Sequence, residues 1–129
     1  MKTIPQQNNL FNKINLPEKL SLFSDHWSPK IVGELNGQHV KLAKLKGTFV
    51  WHKHEDEDEL FLVLKGSFRM EFRDHSIELK EQEFLIVPRG VEHRPVADEE
   101  VSILLFEPIS TLNTGNVTNE MTKNRLDTI

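Results

Sequence analysis

Three histidines and one glutamate in this sequence have the types and the spacing of a metal site. His52 and His54 are two residues apart, Glu59 follows a short acidic stretch, and His93 comes later in the chain. Three imidazole nitrogens and one carboxylate oxygen form a mixed donor set for a divalent first-row metal. This set does not select among iron, manganese, zinc, nickel and copper.

The first three of these residues are spaced as strand and turn would require. Side chains at i and i+2 of a strand lie on one face. A strand over Phe49–His54 would therefore aim the imidazoles of His52 and His54 the same way. The acidic turn at 55–58 then returns the chain, and Glu59 opens the next strand level with them. Each residue alone is ordinary, but together they indicate a metal site.

The fourth residue, His93, follows a tight turn made by Pro88-Arg89-Gly90. Proline and glycine favour such a turn, and the turn delivers His93 to the start of a strand. The remaining histidines have no partner at a useful spacing, and we expect them to be surface residues. They are His26, His39 and His75.

The elements that must position these ligands are short strands. Ten or so are expected between residues 30 and 106, separated by turn residues; Asn36-Gly37 is a strong hairpin signal. Short strands at such spacing indicate an all-β sandwich or barrel. The expected strands include Lys30–Leu35, Val40–Leu45, Phe49–His54, Leu60–Lys65, Phe68–Phe72, Ser76–Leu79, Phe84–Val87, His93–Val96 and Val101–Phe106.

The 129 residues fit a single domain. Its core is expected at about 30–108, with an N-terminal arm at 1–29 and a polar C-terminal tail at 109–129. Apolar residues at 16, 20 and 23 predict one short helix in the arm. The tail is expected either to be disordered or to wrap the barrel.

Composition excludes several classes of function. A net charge of −4 argues against a general nucleic-acid role, and the absence of cysteine excludes disulfides and thiolate metal sites. No apolar stretch approaches the roughly 18 residues of a membrane span, and the first ten residues lack the apolar core of a signal peptide. We therefore expect a cytoplasmic protein that does not bind membranes.

The strand after the acidic turn predicts an apolar cavity beside the metal. If Glu59 points inward, Phe61 and Val63 do so too, and Val50 joins them when one counts back from the histidines. Such a cavity suits a small organic ligand, although these residues could equally be plain core. The residues expected on the opposite face are Phe49 and Trp51.

The outward row of that strand also needs cover. Leu60, Leu62 and Leu64 alternate with the inward residues and would form an exposed apolar face. A second copy of the chain would bury that face, so we expect a homodimer.

The sequence resembles the cupin superfamily in two motifs. The first has glycine, His-x-His, glutamate and a second glycine. Gly47, His52, His54, Glu59 and Gly66 match it, with four residues instead of five between Gly47 and His52.

The second cupin motif ends in Pro-x-Gly, two residues and histidine. Pro88, Gly90 and His93 match it, whereas Gln82 replaces the expected glycine and Ala97 the expected asparagine. These departures fall on turn and framework positions and leave the ligand positions intact.

The resemblance implies a small antiparallel jelly-roll barrel whose metal ligands are His52, His54, Glu59 and His93. It is nearest to short stand-alone cupins similar to the C-terminal barrel of mannose-6-phosphate isomerases. The implied function is to bind a divalent metal with a small organic ligand. One alternative is a metal-dependent dioxygenase or isomerase acting on a small organic acid, phenol or sugar. Another is a purely structural metal barrel, so whether the protein is an enzyme stays open.

Overall fold

A computed structural model of the chain describes residues 11–129. The first ten residues, which belong to the expected N-terminal arm, lie outside the described residues. Within 11–129 the elements are one short helix and seven strands. They are α1 (Leu16–Leu20), β1 (Lys30–Leu35), β2 (Gln38–Thr48), β3 (Glu59–Lys65), β4 (Phe68–Glu71), β5 (Ser76–Leu79), β6 (Phe84–Val87) and β7 (Arg94–Pro108).

The strands pair only in antiparallel fashion, and β7 organises them. The order is β1-β2-β7-β3-β6, and β4 pairs with both β5 and β7. The first residues of β7 pair with β4, whereas its second half lies between β2 and β3. This arrangement confirms the predicted all-β antiparallel barrel with one short helix.

The barrel core comes from the alternation of side chains along β2, β3 and β7. Every second residue faces inward, and the inward residues are almost fully buried. At one end of the barrel the inward rows finish in charged groups: Lys41 on β2, Glu59 on β3 and Glu107 on β7. The apolar inward residues of these strands are Ala43, Leu45, Phe61, Val63, Ala97, Val101, Ile103 and Leu105.

Three of the expected strands differ from the structure. Residues 49–54 do not form a regular strand, and the chain there is held by isolated hydrogen bonds and one bridge, His52 to His93. The two strands predicted at His93–Val96 and Val101–Phe106 are one continuous strand, because residues 97–100 stay extended between them. The described residues therefore hold seven strands and not ten or so.

The irregular backbone at 49–54 also reverses an expected orientation. Phe49 is buried and lines the interior, whereas Val50 is half-buried, so the prediction that Val50 points inward with Phe49 opposite is wrong. Strand alternation does not predict which side chains face inward here, because the chain between Phe49 and His52 is not a regular pleated strand.

The backbone forms the expected turn at two places in the chain. Asn36 and Gly37 both have positive φ, at 50° and 77°, as the hairpin turn between β1 and β2 requires. Gln82, which replaces a cupin glycine, keeps the left-handed backbone with φ of 70°. Its N–H donates to the carbonyl of Val63, so the turn forms despite the substitution.

The C-terminal tail wraps the barrel. The Ile31 N–H donates to the carbonyl of Asp127, and the Ile129 N–H donates to the carbonyl of Ile31. Farther back, the Asn116 N–H donates to the carbonyl of Lys53, and the Lys53 N–H donates to the Asn116 side chain at 2.9 Å. The tail therefore braces the segment that carries the first two histidines.

Over residues 11–129, no helix has the length and apolar character needed to cross a membrane.

Candidate metal centre

Backbone pairing places His52 opposite His93. The His52 N–H donates to the carbonyl of His93 at 3.0 Å, and the His93 N–H donates to the carbonyl of His52 at 2.9 Å. The two ring centroids are 4.4 Å apart. One bridge thus joins two segments that are far apart in sequence and brings their imidazoles together.

Both rings are held in a defined tautomer. Nδ1 of His52 lies 2.9 Å from the carbonyl oxygen of Val50, and Nδ1 of His93 lies 2.8 Å from that of Val91. A carbonyl oxygen only accepts, so each Nδ1 carries the proton. Each Nε2 therefore keeps its lone pair, which is the form that binds a metal.

Glu59 completes the cluster from the first residue of β3. Its Oε1 lies 3.0 Å from Nε2 of His54 and 3.3 Å from Nε2 of His93. All four side chains are buried, and His93 is completely so. The structure therefore brings together the four residues that the sequence predicted.

Two turns are tied together beneath the cluster. Asp58, the residue before Glu59, accepts the backbone N–H of Arg89 at 2.8 Å and also faces its guanidinium. The Gly90 N–H donates to the carbonyl of His54 at 2.7 Å. These bonds hold the acidic turn and the Pro-x-Gly turn side by side. Glu59 and His93, which follow the two turns, therefore lie close together.

The unpaired polar atoms of the cluster fit a metal ion. Among the described residues, Nε2 of His54, Oε1 of Glu59 and Nε2 of His93 are buried without a hydrogen-bond partner. Buried polar groups are seldom left in that state. The four candidate ligand atoms lie within 4.8 Å of one another. A divalent ion at about 2.0–2.2 Å from each would satisfy them, so this group could hold a metal.

Burial controls the charge of the cluster. Burial, and then the neighbouring His93, lower the pKa of His52 to about 4. Burial alone would raise the pKa of Glu59, but the adjacent imidazoles of His54 and His93 outweigh it and lower that pKa. A neutral imidazole beside an ionised carboxylate is the state in which these groups bind a metal.

The lowered pKa of His52 predicts an acid-sensitive metal-free protein. Unfolded His52 takes up a proton near its ordinary pKa of 6.5, whereas the folded side chain stays neutral down to about 4. Between these values the unfolded state binds more protons, so the free energy of unfolding falls as pH falls, by at most about 3 kcal/mol. Urea unfolding from pH 7 to 4 measures this slope. The His52→Gln variant should have a shallower slope, and equal slopes would contradict the assignment.

A buried ion pair beside the cluster was not predicted from the sequence. Nζ of Lys41 lies 2.6 Å from Oε2 of Glu107, with side-chain exposures of 2% and 3%. Burial and then the charge of Glu59 raise the pKa of Glu107. The signal was present in the sequence, because Lys41 and Glu107 continue the inward alternation of Ala43 and Leu105.

A small cavity adjoins the cluster. It holds about 50 Å³ and has mainly apolar walls, with Phe49 and Phe61 among them. Because a single water needs about 10–15 Å³, this space suits a molecule of a few heavy atoms. The polar residues on its wall are His52, Glu59, Glu107 and Asn113.

The other histidines lie away from this site. His75 is exposed, and His26 is exposed with its Nε2 2.7 Å from Glu100. His39 does not fit the prediction of a surface loop residue, because it lies in β2 and its side chain is only 13% exposed. It packs there because the hairpin strand extends two residues farther toward the turn than expected.

The protein is therefore a small antiparallel β-barrel whose buried candidate metal site consists of three histidines and one carboxylate. The cupin domain family, Cupin_2, matches residues 38–107, which contain all four clustered residues. The chain belongs to the cupin superfamily.

One curated relative is similar over about half of the chain. The chain is 41% identical over 64 residues to the uncharacterized protein YdbB of Bacillus subtilis, an alignment that covers 49% of this chain and 57% of YdbB. The chain thus spans little more than half the length of that curated relative.

Two solved structures are similar over most of their own length. One is a cupin-2 domain containing protein from Shewanella frigidimarina, with 47% identity, a TM-score of 0.73 and coverage of 74% of this chain and 93% of that one. The other is protein NMB1881 from Neisseria meningitidis, with 32% identity, a TM-score of 0.70 and coverage of 75% and 99%.

Proposed function

We propose that this protein binds a divalent first-row metal through His52, His54, Glu59 and His93, together with a small organic ligand in the adjoining cavity. The observation that carries the proposal is the set of buried ligand atoms that lack partners among residues 11–129. When bound, such a metal supplies Lewis acidity toward an oxygen of the ligand.

The protein's own residues would contribute binding and shielding. Hydrogen bonds from His52 and His93 to backbone carbonyls fix the orientation of both rings. Phe49 and Phe61 provide an apolar wall that limits water near the site. The cavity is small, and a phenol or sugar would need it to widen. The resemblance to the C-terminal barrel of mannose-6-phosphate isomerases stays a prediction.

Metal analysis tests the proposal directly. Chelator-treated protein would be incubated with manganese, iron, nickel, copper or zinc, desalted, and assayed by mass spectrometry for metal per chain. We expect close to one equivalent of at least one metal. Oxygen-uptake measurements on the loaded protein with small organic acids then separate the dioxygenase alternative from a binding module. A parent protein that retains no metal would overturn the proposal.

We further propose that the outer face of β3 and β6 binds a second copy of the chain. Phe84 and Ile86 on β6 are 61% and 52% exposed, and they pair with half-buried Leu62 and Leu60 on β3. β6 ends the strand order of the main sheet, so this apolar face reaches the sheet edge. A face of this kind is self-complementary about a two-fold axis.

Light scattering checks the dimer. Ile86→Lys is expected to convert the protein to a monomer at micromolar concentration, because the mutation places a charge in the contact. Ile77→Lys is the matched control, since Ile77 is exposed on β5 and away from this face. A parent protein that scatters as a monomer at high micromolar concentration would contradict the assignment.

A further inference from the structure

The cavity beside the cluster reaches the surface at Trp27. Among residues 11–129, thirteen line this cavity; eleven of them are buried, and only Trp27 and Asn113 are half-buried. The Asn113 side chain is fixed at both ends, because its Nδ2 donates to the carbonyl of Met121 and its Oδ1 accepts from the Lys123 N–H. A molecule that enters the cavity from solvent therefore passes Trp27.

Trp27 is the outermost of three aromatic rings that lead from the surface to the cluster. Its indole stacks on Phe49, with ring centroids 4.7 Å apart and an angle of 17° between the planes. Phe49 in turn meets the His52 imidazole edge-on, at a centroid distance of 5.3 Å. Stacking of two flat rings depends on their shape and not on the chain that carries them. The place that the indole occupies against Phe49 can therefore also hold the ring of a bound molecule.

The backbone at Trp27 is strained. Its φ is 58°, in the left-handed region that a bulky side chain rarely adopts. Two hydrogen bonds of 2.9 Å hold the residue there: its backbone N–H donates to the carbonyl of Lys44, and its indole Nε1–H donates to the carbonyl of Lys46. Residues in such conformations cluster at ligand clamps and switch regions, where the surrounding structure holds them. A ligand that displaces the indole breaks one of these two bonds and allows the backbone to relax.

The indole can leave its position without leaving a polar group unpaired. Lys46 is exposed, so water can replace both partners of the Nε1 hydrogen bond once the ring moves outward. The loop around Trp27 is itself anchored, because the Lys30 ammonium group donates to Asp25 at 2.8 Å and this pair brackets the residue in sequence. The ring, rather than the whole loop, is therefore the part that moves.

The cavity walls indicate the chemical class of the ligand. Nine of the lining residues are apolar, and the four polar ones include Asn113, whose amide is already engaged. Trp27 contacts β2 at Lys44 and Lys46, whereas the inward row of β2 reaches a charged group only at Lys41. The entrance is therefore apolar, and the free polar groups lie deeper. A sugar, with hydroxyl groups all round its ring, would leave most of them unpaired at this entrance.

We propose that Trp27 is the gate of this cavity and its specificity-determining residue, and that the ligand is a single flat ring with one polar substituent. The ring displaces the indole and stacks on Phe49, and the polar substituent points toward His52. The closed cavity of about 50 Å³ is too small for such a ring, but an indole is larger than a benzene ring, so the space that it leaves is sufficient. Because the cavity is the ligand site of the proposed function, this inference rests on that part of the proposal.

A cysteine placed inside the cavity measures access past Trp27, because the chain has no cysteine of its own. Ala43 lines the cavity and is completely buried, so Ala43→Cys introduces a thiol there with little added volume. Methyl methanethiosulfonate should modify this thiol slowly. Adding Trp27→Ala is expected to raise the rate at least about 10-fold, because the barrier to opening is removed.

Trp51→Ala is the matched control for the access measurement. Trp51 is also half-buried, but it lies outside the cavity wall, with its ring beside Arg73 and Arg94. It should leave the rate unchanged, and Trp27→Phe should keep the rate slow because a phenyl ring still stacks on Phe49. Rates that do not change in low concentrations of urea show that the folded protein is the species modified. If Trp27→Ala reacts no faster than Trp51→Ala, Trp27 is not the gate.

Fluorescence tests the ligand class. The chain has two tryptophans, so in the Trp51→Phe variant all tryptophan emission comes from Trp27. Phenol, excited outside its own absorption band, should cause a saturable shift of this emission to longer wavelength, because the displaced indole enters water. Xylose, whose ring has the same size but carries several hydroxyl groups, should cause no shift. The absence of a saturable shift with phenol, or an equal shift with xylose, would overturn the assignment.

Metal per chain, measured on the same samples, separates this inference from the metal assignment. Failure of either the access or the fluorescence test overturns the inference about Trp27, whatever the metal content. A protein that passes both tests but retains no metal overturns the metal assignment alone.

Discussion

Replacing His93 with alanine is expected to lower the affinity for divalent metal at least about 100-fold. His93 is completely buried, and its Nε2 lies beside Oε1 of Glu59. Binding of a four-ligand site is worth on the order of 10 kcal/mol, so the loss of one ligand removes a few kcal/mol. Competition with a chromophoric chelator measures the change, and His52→Ala should lose a similar amount.

His26→Ala is the matched control for these variants. His26 is exposed and bonds Glu100, far in sequence from the cluster, so its replacement should leave metal affinity unchanged. Circular dichroism of each metal-free variant confirms that the barrel has folded. If His93→Ala and His52→Ala bind metal as tightly as the parent and the control, the four-residue assignment is wrong.

The members of this cluster could be predicted because their signal is local. His52, His54 and Glu59 lie within eight residues, and a Pro-x-Gly turn marks His93. The backbone that positions them could not be predicted in the same way. The expected strand at Phe49–His54 is an irregular segment, so the side-chain alternation inferred for it placed Val50 and Phe49 on the wrong faces.

Features that depend on the register between distant strands were not predicted. Lys41 and Glu107 are 66 residues apart and meet because β2 pairs with β7 along nearly its whole length. Neither residue belongs to a motif, and a charged residue at a strand end is most often exposed. The same reason applies to the tail, whose path past Lys53 depends on two hydrogen bonds between Asn116 and Lys53.

Removing one partner of the Lys41–Glu107 pair is expected to lower stability strongly, and removing both partners is expected to restore most of it. The single substitution Glu107→Leu removes the only charged partner that the described structure gives to the Lys41 ammonium group. Breaking a buried pair in this way costs about 3–5 kcal/mol in the free energy of unfolding. The double variant Lys41→Met with Glu107→Leu should recover most of that loss, because two apolar side chains of similar size then pack together.

Urea unfolding of the metal-free proteins measures both effects, with equal m-values as the sign that the folded states are comparable. Asp58→Asn is the control for loss of an exposed carboxylate that faces Arg89, and its effect should be much smaller because water screens that pair. If Glu107→Leu unfolds at the same urea concentration as the parent, the ion pair does not stabilise the barrel. If the double variant is no more stable than the single one, the cost lies in cavity packing and not in an unpaired buried charge.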